Sequence, residues 1–302
     1  MDKTVKSNYH DHIVPDNARK ERGQMAEIWH RLKRNKGAIL GFVVAILLVC
    51  VALFSGVFLD YDKQVIGQNV TQRLQQPSLK HIMGTDEYGR DIFVRILYGT
   101  RYSLSIGVMA VTIALGIGVF LGAVAGYFGG VLEEAIMRFT DIFQAIPATI
   151  MSIIIMVALG QSTFNLMVAI GLTSVPPFVR ITRVAVLAVK DQEFVEASRA
   201  IGLSKASIIL THILPNCISP IIVQATLRVA TAILSASTLS FLGLGVPTPM
   251  PEWGAMLSSG RRFIRGYAYM TFFPGLAILV TVLSLNLLGD GLRDALDPKL
   301  KN

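Results

Sequence analysis

The chain has 302 residues, 52% of them apolar and only 16% charged, with a formal net charge of +8 and a mean hydropathy of +0.55. That balance excludes an ordinary soluble domain and sets an integral membrane protein as the class. The 28 Lys and Arg residues lie between the apolar runs rather than in one patch, which argues against a nucleic-acid surface and for a membrane-orientation signal.

Residues 1–24 form a polar tail expected to be poorly ordered, and His10 and His12 beside Asp11 read there as solvated side chains rather than metal ligands. Over residues 25–36, Met25, Ile28, Trp29 and Leu32 recur at helical spacing among Arg31, Lys33 and Arg34. This predicts an amphipathic helix in the headgroup layer of the membrane lipids, anchored by Trp29, with a solvated basic tail as the alternative. Residues 37–59 carry no charge and reach roughly 34 Å at about 1.5 Å per residue, enough to cross a bilayer. The run is too long for a signal peptide and is preceded by a long polar segment, so it reads as an uncleaved anchor.

An external segment follows at 60–101. Its Asp86, Glu87, Arg90 and Asp91 suggest either a carboxylate metal site or, preferably, a capped amphipathic helix. In the second reading Thr85 or Asp86 opens the helix, and Ile92, Phe93, Ile96 and Leu97 face the membrane. The remainder, 102–302, is expected to form a five-span core. The second span covers 102–132 and places Gly118, Gly122 and Gly126 on one face, where a neighbouring backbone can approach closely; a nucleotide-binding glycine loop is excluded because no soluble strand precedes it. Residues 142–179 are too long for one span and break at Gly160-Gln161-Ser162-Thr163 into a third and a fourth. Arg228 is the only charge between Lys205 and Glu252, which leaves room for a fifth span, and 266–289 makes the sixth. The Lys/Arg bias puts both termini in the cytoplasm, with eighteen basic residues inside against nine outside.

Pro147, Pro176, Pro177, Pro215, Pro220 and Pro274 fall near or within spans, where they bend helices. Cys50 and Cys217 sit in or beside apolar runs, so neither a disulfide nor a metal site is expected from them. Arg228 inside a span is costly unless paired or facing water; it is a candidate for a substrate carboxylate in a translocation path, or for a salt bridge with a partner such as Asp141. Glu252, Trp253, Arg261, Arg262 and Arg265 read as external residues facing a partner or water.

The most informative internal segment is the loop 190–212 with its exit into the fifth span. Asp191 is positioned to cap a helix whose Phe194, Ala197 and Ile201 share a face; Gly202 is positioned to end it, and Ser204 to cap a second helix. Such a polar helical hairpin suits docking in another protein's groove, although an ordinary surface loop fits the residues as well. The segment resembles the EAA loop of ABC-importer permeases, in which Glu-Ala-Ala, three residues, Gly, nine residues and Ile-x-Leu-Pro recur. Glu196, Ala197, Gly202, Leu214 and Pro215 match, Ser198 replaces the third small residue, and His212 stands in the Ile position. Gly-Thr-Asp-Glu-Tyr-Gly-Arg-Asp at 84–91, Phe-Leu-Gly-Leu-Gly-Val-Pro at 241–247, Pro-Glu-Trp-Gly-Ala-Met-Leu at 251–257 and the stretch 286–298 resemble the second permease subunit of the peptide and nickel branch of these importers.

That resemblance implies an all-α protein of the type I importer permease kind, with six transmembrane helices in a bacterial or archaeal plasma (inner) membrane. It implies half of a path for di- or oligopeptides delivered by an external substrate-binding protein, with nickel chelates or glutathione as alternative cargo. Implied partners are a homologous permease subunit and two cytoplasmic ATPase subunits. ATP and Mg would be bound there, because this chain has no G-x-x-x-x-G-K-[ST] loop and is expected to carry no cofactor and no catalytic residue. Phe194, Glu196, Ala197, Ser198, Gly202, Leu214 and Pro215 would make the ATPase-coupling element, and Arg228 would belong to the path. A secondary transporter is a weaker alternative, since Asp141 is almost the only acid near a span. An intramembrane protease lacks its catalytic constellation.

Overall fold

The computed structural model describes residues 24–296. The polar tail with His10 and His12, the side chains of Met25 and Ile28, and residues 297–302 lie outside the described residues. The described residues are mostly helical; the main exceptions are the segment 59–91, which holds two short helical turns and an isolated bridge between Thr85 and Asp91, and the loop 242–252.

Helix α1 (Gln24–Arg34) forms where the amphipathic stripe predicts it. Trp29 stays exposed and meets the Phe42 ring edge-on at 5.5 Å. Leu32, however, is buried against Ala38 and Ala295, so part of the stripe packs on protein rather than lipid. The Asn35 side chain accepts from the Ala38 N–H at 3.1 Å and starts α2 (Lys36–Phe58). Only 11% of the apolar stretch of α2 is buried, so most of its Leu, Val and Phe side chains are left for lipid or another chain.

Helix α3 (Ile92–Phe128) has 37 residues, about 55 Å at ~1.5 Å per residue. It exceeds the ~30 Å hydrocarbon layer, so it begins ten residues before the expected boundary at 102 and carries the external layer on its first turns. It ends at Gly129 and Gly130, whose φ angles of 67° and 58° turn the chain into α4 (Gly130–Ala145). Pro147 then bends the path by 88° into α5 (Ala148–Leu159).

The break expected at 160–163 is present. Gly160 adopts φ 84°, and the Ser162 Oγ accepts from the Asn165 N–H to start α6 (Thr163–Thr173). A 41° bend leads into α7 (Val175–Val189), with Pro176 and Pro177 in its first turn, where a missing N–H costs nothing. The bundle closes with α11 (Ile218–Phe241) and α13 (Tyr269–Leu296), the latter running seven residues past the expected end at Gly289. Among the described residues, four helices are long and apolar enough to cross a membrane, and six crossings result when each bent pair counts as one.

The glycine stripe packs as expected. A Cβ on Gly122 would lie 2.5 Å from the Val179 carbonyl oxygen, and those on Gly118 and Gly126 would strike Phe178 and Val186. Bare backbone therefore lets α3 and α7 pack together. Ile106, Ala110, Leu166, Ile170, Phe178, Ala236 and Leu239 fill the core among α3, α6, α7 and α11.

The outer layer departs from expectation. Asp91, not Thr85 or Asp86, caps α3 by accepting from the Val94 N–H at 3.1 Å. Asp86 instead turns inward: its carboxylate accepts from the backbone N–H groups of Tyr88 and Arg90 and pairs with Arg90 Nε at 2.6 Å. Arg95 lies 3.7 Å from the same carboxylate and donates to the Val65 and Pro249 carbonyls. Ile92 and Ile96 meet Trp253 and Met270 rather than lipid. Glu252 and Trp253, expected to face a partner or water, are fully buried. The Glu252 carboxylate caps α12 (Trp253–Gly260) by accepting from Gly254 and Ala255, while the Trp253 indole donates to the Ile96 carbonyl at 3.1 Å. Burial pushes the Glu252 carboxyl above the ordinary carboxylate value, against the lowering effect of its N–H donors. Short stretches with charged residues suggest exposure in the sequence, but segments distant in the chain cover these side chains.

Candidate functional site

The element of interest is the hairpin between α7 and α11. Helix α8 (Glu193–Ala200) starts at Gln192 without a side-chain cap, so Asp191 does not cap it; Glu193 and Glu196 in its first turn suit the positive end of the helix instead. Only eight residues long, α8 cannot hold itself in water. Val195, fully buried among Val186, Ile208, Ile213 and Cys217, seats it on the bundle. Its end is closed by backbone bonds from Leu203 N–H to the Ser198 carbonyl and from Gly202 N–H to the Arg199 carbonyl, with Gly202 at φ 81°.

Ser204 then accepts from the Ser207 N–H and opens α9 (Lys205–Ser207), as expected. A π-helical turn at Ile208–Ile213 and the short α10 (Leu214–Asn216) carry the chain past Pro215, which has no N–H to give, into α11. Two cations fasten the hairpin to the end of α3: the Arg199 guanidinium lies 5.6 Å from the Tyr127 ring and the Lys205 ammonium 5.5 Å from the Phe128 ring. Arg199 also donates to the Lys190 carbonyl. The hairpin thus touches α3, α7 and α11 at once.

The expected site residues divide into two sets. Phe194, Glu196 and Ala197 are exposed, and Ile201 and Leu203 stand with them, Ile201 at 77% exposure. Ser198 and Leu214 face the other way: the Ser198 Oγ donates back to the Phe194 carbonyl at 2.7 Å, and Leu214 packs on the Val195 cluster. Pro215 is exposed but shapes the helix path rather than the exposed face. Leu203 was missed in the sequence because it follows the helix-ending glycine and so lies outside any helical period.

Arg228 occupies the middle of α11, half-buried, with no side-chain partner among the described residues. Asp141 is not available to it, because that carboxylate pairs with Arg180 at 2.6 Å; beside it, Glu133 pairs with Arg183. These two bridges tie α4 to α7.

Comparison with known proteins gives a consistent picture. Residues 118–302 match the family model of the binding-protein-dependent transport system inner membrane component, and residues 23–77 match the N-terminal TM domain of oligopeptide transport permease C. The chain is 46% identical over 276 residues to a dipeptide transport system permease protein of Alkalihalophilus pseudofirmus, covering 91% of this chain and 90% of the relative. A di/tripeptide transport system permease protein of Pseudomonas aeruginosa is 42% identical, with 92% and 93% covered. A glutathione transport system permease protein of Escherichia coli O157:H7 is 44% identical, with 91% and 90% covered. Among solved structures, the inward-facing MetNI methionine ABC transporter matches with a TM-score of 0.55 at 19% identity, over 68% of this chain and 96% of that one, which establishes a shared fold.

Proposed function

This chain belongs to the binding-protein-dependent inner membrane permeases of ABC importers, in the branch of oligopeptide permease C, and we propose that it forms half of a path for short peptides. It is a multi-pass inner membrane subunit; ATP is hydrolysed on partner subunits, and an external binding protein presents the cargo. The other half of the path is a homologous permease, and two cytoplasmic ATPases hold the ATP and Mg. Relatives named for dipeptide, di/tripeptide and glutathione transport support a peptide cargo of two or three residues.

The observation that carries the coupling role is the exposed apolar tip of the hairpin, formed by Phe194, Ile201 and Leu203, on an element rooted in three helices. Exposed aliphatic side chains on a polar helix are surface left for a partner. Seated in a groove of an ATPase, the tip moves when nucleotide draws the ATPases together. Because Val195, Arg199 and Lys205 fix it to α3, α7 and α11, the displacement passes into the bundle as rigid-body rocking. Arg228, without a side-chain partner among the described residues and in the middle of α11, faces the path or the partner permease, since an arginine in hydrocarbon costs several kcal/mol.

Reconstitution of both permeases, both ATPases and the binding protein in proteoliposomes tests this reading, with uptake of labelled dialanine and of glutathione measured against ATP. Uptake that needs every subunit is expected. ATP-independent, proton-driven uptake by this chain alone would overturn it. Within that system Arg228→Ala should lower uptake per assembled complex while Arg228→Lys retains part of it, and unimpaired transport in the alanine form removes Arg228 from the path.

A further inference from the structure

On the external side, a cleft of about 610 Å³ opens where four parts of the chain meet. Arg73, Glu87 and Tyr88 come from the external segment, Gln161 from the turn between α5 and α6, Ser259 from α12, and Arg262 from the turn that follows it. The volume falls within the ~300–1,000 Å³ typical of small-molecule sites. Gln161 is held in place by donating to the Gly243 carbonyl at 2.7 Å, which ties the α5–α6 turn to the end of α11 across the cleft.

Three charged groups face this space without a partner to neutralise them. Arg73 and Arg262 are exposed, and among the described residues neither side chain makes a hydrogen bond or ion pair. Glu87 is half-buried, and its Oε2 is buried with no hydrogen-bond partner. The cations nearest in the chain do not serve it, because Arg90 and Arg95 are engaged by Asp86. A buried carboxylate oxygen without a donor is costly and marks a place where a donor is missing. Burial holds the Glu87 carboxyl above its ordinary value, against a lowering hydrogen bond from its own backbone N–H; the neighbouring Asp86 adds to the effect, and Arg90 and Arg95 oppose it.

We propose that this cleft is a binding site for a short zwitterionic peptide, with Glu87 receiving the terminal ammonium and Arg73 and Arg262 the terminal carboxylate. A free peptide carries one charge of each sign at its ends whatever its side chains, so a site built on the ends accepts many sequences. Arginine presents a planar fork to a carboxylate. Tyr88, with the Arg90 guanidinium stacked 4.6 Å from its ring centroid, and the Gln161 amide line the space between. Cargo released by the binding protein would rest here before the bundle rocks open. The proposal rests on the reading of the chain as a peptide-importer permease.

The test uses the complete importer in proteoliposomes, with binding protein loaded with labelled dialanine or glutathione. Glu87→Gln, Glu87→Asp and Arg262→Gln are compared for maximal uptake rate and, separately, for the affinity of the transporter for loaded binding protein. Glu87→Gln and Arg262→Gln should each lower the maximal rate about tenfold, the size of one lost charge-assisted hydrogen bond, at unchanged affinity for the binding protein. Glu87→Asp should recover most of the rate. Should Glu87→Gln fail to assemble, the exposed Arg262 carries the test. Wild-type rates in Glu87→Gln and Arg262→Gln overturn the proposal. So does a loss of rate that tracks weaker binding-protein affinity, which would make the cleft part of the docking surface. Absence of uptake by the wild-type importer would instead overturn the peptide-importer reading, and the cleft proposal with it.

Discussion

Replacing Gly202 with valine isolates the backbone geometry of the proposed coupling hairpin from its contacts. Gly202 sits at φ 81°, and a Cβ built there would meet nothing within 4 Å, so the added Cβ brings no clash. Its cost is that of holding a β-branched residue in left-handed backbone, about 1–3 kcal/mol. An eight-residue helix seated by one fully buried side chain has little local stability to spare, and a penalty of that size shifts a two-state equilibrium by roughly five- to 150-fold. The hairpin lies at the end of the bundle, so insertion and assembly should be unchanged while binding-protein-stimulated ATPase activity and uptake per assembled complex fall severalfold or more. Gly202→Asn is the control, because asparagine tolerates the left-handed region far better, and it should keep most of the activity. Normal uptake by the valine form would refute the coupling argument. Equal loss in the asparagine and valine forms would show that the open space beside Gly202, rather than its backbone angle, is what function requires.

Three further outcomes follow from the packing and charge. Gly122→Ala should lower the melting temperature of the purified complex, because its Cβ would press on the Val179 carbonyl and on Thr182; the overpacking costs about 1–3 kcal/mol, whereas Gly116→Ala, with nothing within 4 Å, should leave it unchanged or slightly raised. Asp86→Asn should destabilise the external layer by about 3–5 kcal/mol, since it leaves Arg90 and Arg95 buried without their shared carboxylate, read as a loss of assembled complex and faster proteolysis of the 60–91 segment. The raised Glu252 carboxyl contributes stability that is fully present below its unfolded value near 4.5 and is lost as pH rises through the higher folded value; Glu252→Gln should flatten that part of the melting temperature profile, at the cost of about 0.5–2 kcal/mol for a weakened cap, and identical slopes in the two proteins would count against burial as the cause.

What was legible in the sequence and what was not divides along a physical line. A span has to satisfy its own backbone bonds within one apolar run, so spans, the turn at Gly160 and Ser162, the Ser204 cap and the glycine face of α3 are written locally and can be read locally. The hairpin is local too, which is why its residues stand out by spacing; only the cap of its first helix, expected at Asp191, differs, since α8 starts one residue later at Gln192 without a side-chain cap. The outer layer obeys no such rule. Asp86, Glu252 and Trp253 are buried because segments 60–91 and 246–260 fold over the first turns of α3, and burial produced by chain so far away leaves no period in the sequence. Asp141 misled for the same reason, its partner Arg180 lying 39 residues on and Arg228 elsewhere in the bundle. The opposite case is as instructive: Ile201 and Leu203 are apolar by type, yet the fold leaves Ile201 77% and Leu203 36% exposed. An apolar side chain left bare on an element anchored to three helices is surface that this chain does not cover itself, and the proposed coupling role assigns that surface to the ATPase.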